Sequence, residues 1–146
     1  MLAPDGILTL CEKNEFMNYN HIHLKEAEHG RTVMELTVVK ESLNPYGIAH
    51  GGVLYTMGDC AAGLAARSDG RRYVTLSSSF NFLRSGQLGD TIQATGTIRH
   101  RGRTTCVAEV DITDSQGRLL ASGSYTFFCV ENKTDKGYRK RNAYGS

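Results

Sequence analysis

Asn44-Pro45-Tyr46-Gly47-Ile48-Ala49-His50-Gly51-Gly52-Val53-Leu54-Tyr55-Thr56-Met57-Gly58-Asp59 is a polar, glycine-rich loop that runs straight into an apolar segment. Pro45 disfavours the α region at Asn44, and Gly47, Gly51 and Gly52 permit turns and close approaches. From Gly51 the chain stays apolar or small through Ala66, and Ser68-Asp69-Gly70 supplies a stop signal, so a long helix is expected here. A helix apolar on every side is a buried helix, with Gly58, Ala61, Ala62, Gly63 and Ala65 letting neighbouring backbone approach. Asp59 stands out as the only formal charge between His50 and Arg67. A buried carboxylate must be paired, hydrogen-bonded or neutralised, so Asp59 is either a satisfied core acid or a functional one. The amides opening the same helix form a site for a negative oxygen, which favours function.

The flanking sequence reads as strands. Ile22 and Leu24 begin one, His29-Gly30 makes a hairpin turn, and Thr32, Met34, Leu36 and Val38 line the next. After the helix, Tyr73–Leu83 places Val74, Leu76, Phe80 and Phe82 on one face and Thr75, Ser77, Ser79 and Asn81 on the other. Thr91–Ile98, Thr105–Thr113 (Cys106, Ala108, Val110 and Ile112 inward) and Leu119–Val130 follow, the last two joined by the turn Asp114-Ser115-Gln116-Gly117. Short connections imply antiparallel pairing. About six such strands and one buried helix make an α+β fold, a curved antiparallel sheet wrapped around the helix. Residues 1–21 form an N-terminal segment with a loosely spaced short helix (Leu8, Cys11, Phe16, Met17), 22–130 the domain, and 131–146 a polar, basic, flexible tail.

The spacing of Asn44, His50-Gly51-Gly52 six residues on, and Asp59 fifteen residues after Asn44 resembles the hotdog-fold acyl-CoA thioesterases of the phenylacetate-pathway (PaaI-like) type. The resemblance covers roughly residues 22–130 and implies hydrolysis of an aryl- or medium-chain acyl-CoA to free acid and CoA. Asp59 would be general base or nucleophile, and the Gly51 amide, with Gly52 beside it, the oxyanion donor. Asn44 and His50 resemble the residues that position the thioester and the loop, and Ser77 a position that hydrogen-bonds the acid. Coenzyme A enters as part of the substrate, with no separate cofactor, and its phosphates need cations: Arg84, Arg101 and Arg103 are the candidates. Tyr46, Tyr55, Met57, Phe80 and Phe82 are expected to line the acyl pocket. Two alternatives stay open, an acyl-thioester dehydratase or hydratase on the same fold and a non-catalytic acyl-CoA-binding module.

Composition narrows the field. The 146 residues suit one domain, and 17 basic against 15 acidic side chains give a net charge of +2, which argues against a nucleic-acid binder. No apolar run suits a bilayer span and the N-terminus lacks a signal-peptide pattern, so a cytoplasmic protein is expected. Cys11, Cys60, Cys106 and Cys129 lack metal or redox spacing and read as reduced core residues; no metal site is expected around the histidines. Helix geometry adds a partner. Gly51 and Asp59 are eight residues, about 12 Å, apart along one helix, too far to meet at one carbonyl. A homodimer with antiparallel helices, expected to pair again as a dimer of dimers, would bring each Asp59 to the other chain's Gly51.

Overall fold

The computed structural model describes residues 4–132 and 139–140. Two short helices, α1 (Pro4–Glu12) and α2 (Glu15–Tyr19), precede the hairpin β1 (His23–Glu28) and β2 (Arg31–Thr37). The long helix α3 (Gly51–Arg67) follows, then β3 (Arg72–Phe82), β4 (Thr91–Arg101), β5 (Thr105–Thr113), β6 (Leu119–Asn132) and β7 (Arg139–Lys140). The sheet order is β1-β2-β4-β5-β6-β3, with β7 paired to β6, and every pairing is antiparallel. The expected architecture is therefore present. The added seventh strand comes from β6 running two residues past Val130 and pairing with Arg139–Lys140. Apart from that pair, the tail expected to be flexible lies outside the described residues beyond Asn132.

Helix α3 packs against β2, β3, β4 and β5. Its small residues admit sheet backbone closely: a Cβ on Gly96 would lie 2.7 Å from the Ala61 carbonyl carbon, and the Thr32 hydroxyl donates to the Ala61 carbonyl oxygen. The alternating residues of β5 (Cys106, Ala108, Val110, Ile112) are at most 1% exposed, and with Met34, Leu36, Met57, Ile92 and Tyr125 they form the core.

The helix is not buried all round, however. Val53, Leu54, Met57, Gly58, Ala61, Ala62, Leu64, Ala65 and Ala66 are buried, whereas Gly52, Tyr55, Thr56, Asp59, Cys60, Gly63 and Arg67 form a stripe that is only partly covered. These positions recur at helical spacing, so one face of an apolar-looking helix is left open within a single chain.

Strand β3 also departs from simple alternation. A register shift between Thr75 and Ser77 marks a bulge, which reverses the side-chain phase along the strand. Tyr73 and Thr75 thus turn toward α3 before the bulge, and Ser78 and Phe80 after it, while Val74 and Leu76 are 36% and 44% exposed. At the N-terminus there are two helices rather than one. The Asn14 side-chain oxygen accepts from the Met17 N–H and caps α2. Ile7 and Met17 enter the core, and Leu8 and Phe16 stay exposed.

Candidate active site

The loop before α3 is fixed at both sides. The Ala49 N–H donates to the Gly86 carbonyl and the His50 N–H to the Ser42 carbonyl, each at 2.8 Å. Within it the Asn44 carboxamide oxygen accepts from the Tyr46 and Ile48 N–H groups at 2.9 and 3.4 Å, an Asx turn that leaves the side-chain NH2 group for a ligand. His50 is the N-cap of α3, at φ −63° and ψ 137°, and its Nδ1 accepts from the Gly52 N–H at 2.8 Å. A neutral His50 in this arrangement carries its proton on Nε2.

That cap decides which glycine can bind an oxyanion. The Val53 and Leu54 N–H groups both donate to the His50 carbonyl, and Gly52 is taken by the imidazole. Among the described residues the Gly51 N–H alone in this first turn has no acceptor. It sits at the positive end of a seventeen-residue helix. Gly52, expected beside it as a second donor, is committed to the cap instead. The Gly51 amide opens on a cavity of about 300 Å³ whose walls include Asn44, Leu54, Phe82 and Arg84.

Asp59 lies two turns along the open stripe of α3, partly buried, and its Oδ1 accepts from the Thr75 hydroxyl at 2.7 Å. Burial raises the carboxyl pKa above its ordinary value, and the Thr75 hydrogen bond offsets part of that rise. Thr75 is the residue that sequence reading missed: alternation puts it on the same polar face as Ser77, and the bulge between them leaves Thr75 toward the acid and turns Ser77 away. Ser77, expected in this role, lies just past the bulge, exposed, and is not the acid's donor within the chain. Asp59 borders a second, larger cavity of about 550 Å³, walled by α3, β3, Phe127 of β6 and the N-terminal helices. Gly51 and Asp59 therefore open on different cavities of one chain.

The expected aromatic lining is largely placed elsewhere. Met57 is fully buried, Tyr46 is 88% exposed, and Tyr55 and Phe80 pack edge-on with Tyr125 beneath them. Only Phe82 of that set borders a site cavity, against Gly51. The three arginines separate as well. Arg84 is exposed on the rim of the Gly51 cavity. Arg101 is a structural residue: its guanidinium donates to the Ala65 and Ala66 carbonyls at the end of α3 and to Asp69 at 2.7 Å. A cation there satisfies the helix's terminal carbonyls, so Arg101 is not spare for phosphate. Arg103 sits in the β4–β5 turn, where its carbonyl accepts from Arg71.

Cys60 is no nucleophile: burial first, and then the neighbouring Asp59 charge, push its thiol up to about 12. Among the described residues no cluster of three His, Cys, Asp or Glu side chains is placed to hold a metal. No helix there is long and apolar enough to cross a membrane.

Comparison with known proteins gives the family. Residues 46–121 match the Thioesterase superfamily. The chain is 34% identical over 100 residues to the acyl-coenzyme A thioesterase PaaI of Escherichia coli, covering 68% of this chain and 71% of that one. The solved structure of E. coli PaaI superposes with a TM-score of 0.82 at 28% identity, over 84% of this chain and 89% of its own. A hypothetical thioesterase protein of Streptococcus pneumoniae, solved with coenzyme A, is 42% identical over 74% of this chain and 84% of its own, with a TM-score of 0.72. That protein has also been solved as two single alanine variants, one of an aspartate and one of a threonine sixteen positions further on, the separation of Asp59 and Thr75 here. Sequence and fold converge, and the chain belongs to the thioesterase superfamily, as a hotdog-fold thioester hydrolase of the PaaI-like type.

Proposed function

We propose that this protein is an acyl-CoA thioesterase whose active site is completed between two copies of the chain. The carrying observation is the separation of the two functional groups. Eight helical residues place Gly51 and Asp59 about 12 Å apart, and each borders its own cavity. Both must come within about 3 Å of one thioester carbonyl. An antiparallel pairing of the open stripes of two α3 helices brings Asp59 of one protomer to the Gly51 amide of its partner, and covers the only partly buried face of the helix.

In this site the thioester oxygen accepts from the Gly51 N–H, which is pre-aimed and free of other partners, while the Asn44 NH2 group holds the substrate. Asp59, with Thr75 on Oδ1, uses Oδ2 to take a proton from water or to attack the carbonyl carbon. The first route yields the acid directly and the second passes through an anhydride that water opens. In both the thiolate of CoA leaves and is protonated. A carboxylate whose basicity is raised by burial suits either role. Arg84, on the rim beside Gly51, is the residue placed to meet a CoA phosphate. The relative solved with coenzyme A and the threonine–aspartate spacing of its variants support this reading.

The test is complementation. Asp59→Ala and Gly51→Pro each disable one half-site, and a mixed dimer of the two contains one doubly damaged and one intact site. Mixed dimers isolated through two different tags should hydrolyse acyl-CoA at about half the wild-type rate per dimer. Mixed dimers as inactive as their parents would refute the shared site.

A further inference from the structure

The larger cavity is built partly from chain that lies outside the family match. Its walls on one side are the apolar side chains of α3 and β3 with Phe127; on the other they are Leu10, Lys13, Asn14 and Glu15 of the α1–α2 segment. The matched family region begins only at residue 46. This wall is held in place rather than draped over the surface. Ile7 and Met17 are 4% and 1% exposed within the core. The Asn14 side chain caps α2 and lines the cavity together with Cys60 and Asp59. The Asn18 amide donates to the Cys11 carbonyl at 3.0 Å and binds the two helices together.

The cavity holds about 550 Å³, and a space of roughly 150 Å³ accommodates benzene. Asp59 is one of its lining residues, so a group attached to a carbonyl carbon at that acid has this cavity beside it. Leu10, Leu64 and Phe127 supply an apolar body, and Lys13 and Glu15 form an exposed rim. Resting on the thioesterase reading above, we infer that this cavity is the acyl site and that the α1–α2 segment, through Leu10, is the wall that sets which acyl groups are accepted. The acyl group it fits has an apolar body of aryl or medium-chain size, too large for a two-carbon acyl to fill. Leu10 is the determining position because its half-buried side chain is the apolar contribution of that wall.

The experiment compares the full chain with Leu10→Trp and Leu10→Ala on acetyl-, butanoyl-, octanoyl- and benzoyl-CoA, each variant first checked for an intact thermal transition. The readout is the ratio of kcat/KM for the large substrates to that for acetyl-CoA. Trp should lower the octanoyl and benzoyl ratios at least about tenfold, and Ala should raise the octanoyl ratio by about threefold or more. Ratios unchanged in folded variants, or a parallel loss on all four substrates, would overturn the assignment. If Leu10→Trp fails to fold, the Ala ratio decides. Calorimetric affinity for octanoyl-CoA relative to free CoA gives the same comparison without turnover. A chain that hydrolyses none of the thioesters yet shows the Leu10-dependent preference for the acylated ligand would sink the thioesterase reading and leave this one standing.

Discussion

Replacing Gly51 by proline removes the inferred oxyanion donor while disturbing little else, and the structure shows why. Gly51 is the first residue of α3, whose N–H makes no intrahelical bond, so proline costs the helix nothing in hydrogen bonding. His50, at φ −63° and ψ 137°, already has the backbone conformation that a following proline demands. The Cβ that proline shares with alanine would lie 3.3 Å from the Phe82 ring, which a half-exposed side chain can yield, and the proline Cδ takes the place of the N–H hydrogen itself. Loss of a preorganised donor should lower kcat by about 10²–10³, equivalent to roughly 3–4 kcal/mol of transition-state stabilisation. Gly51→Ala is the matched control, because it adds the same Cβ and keeps the N–H; its loss should be far smaller. The assay is steady-state release of free thiol from octanoyl-CoA, beside thermal unfolding and the affinity for free CoA, which has no carbonyl to lose. Near-normal kcat in the proline variant, or an equal loss in the alanine variant, would show that the Gly51 amide is not the donor.

Asp59→Asn should keep the fold and lower kcat by at least about a hundredfold, since the amide can neither accept the proton nor attack. It should also unfold at a higher temperature at neutral pH. Burial raises the folded pKa of Asp59, so the stability of the acid form is fully present below its ordinary value of 3.8 and is lost as pH rises through the folded value. The gain from Asn, which cannot ionise, must therefore shrink toward zero in acid; a gain that persists at low pH would point to another cause. Arg84→Ala should raise KM for acyl-CoA with kcat little changed, whereas Arg101→Ala should cost about 2 kcal/mol in urea unfolding by leaving the terminal carbonyls of α3 without their donor and taking one cation from Asp69. Reversed behaviour of the two arginines would invert their assignments. Single turnover in H2 18O probes the route at Asp59: label in the enzyme's own carboxylate marks an anhydride opened at the Asp59 carboxyl carbon, whereas label in the product acid alone is the outcome of general-base catalysis or of an anhydride opened at the acyl carbon.

The residue order alone determined the architecture. Period-two runs across β2, β4, β5 and β6, and one long segment of apolar and small residues between glycine-rich punctuation, are local signals that admit one packing, and each is found where expected. The candidate acid was equally legible, because a lone charge in such a segment is costly wherever the helix lies. What could not be read were features set by two distant stretches meeting. The bulge in β3 inserts one residue between Thr75 and Ser77, which alternation puts on one face, so that Thr75 meets Asp59 and Ser77 turns away, with no change in local composition to announce it. Gly51 and Gly52 are adjacent and chemically identical; the cap from His50 Nδ1 alone makes one a donor and the other a spent group. Arg101 and Arg84 both sit near strand ends in the sequence, but only the folded chain lays one against the terminal carbonyls of α3 and leaves the other on the rim of a cavity. Periodicity reports which side chains leave water. Which polar atom meets which is decided by contacts between residues far apart in the chain, and those exist only once the sheet has closed on the helix.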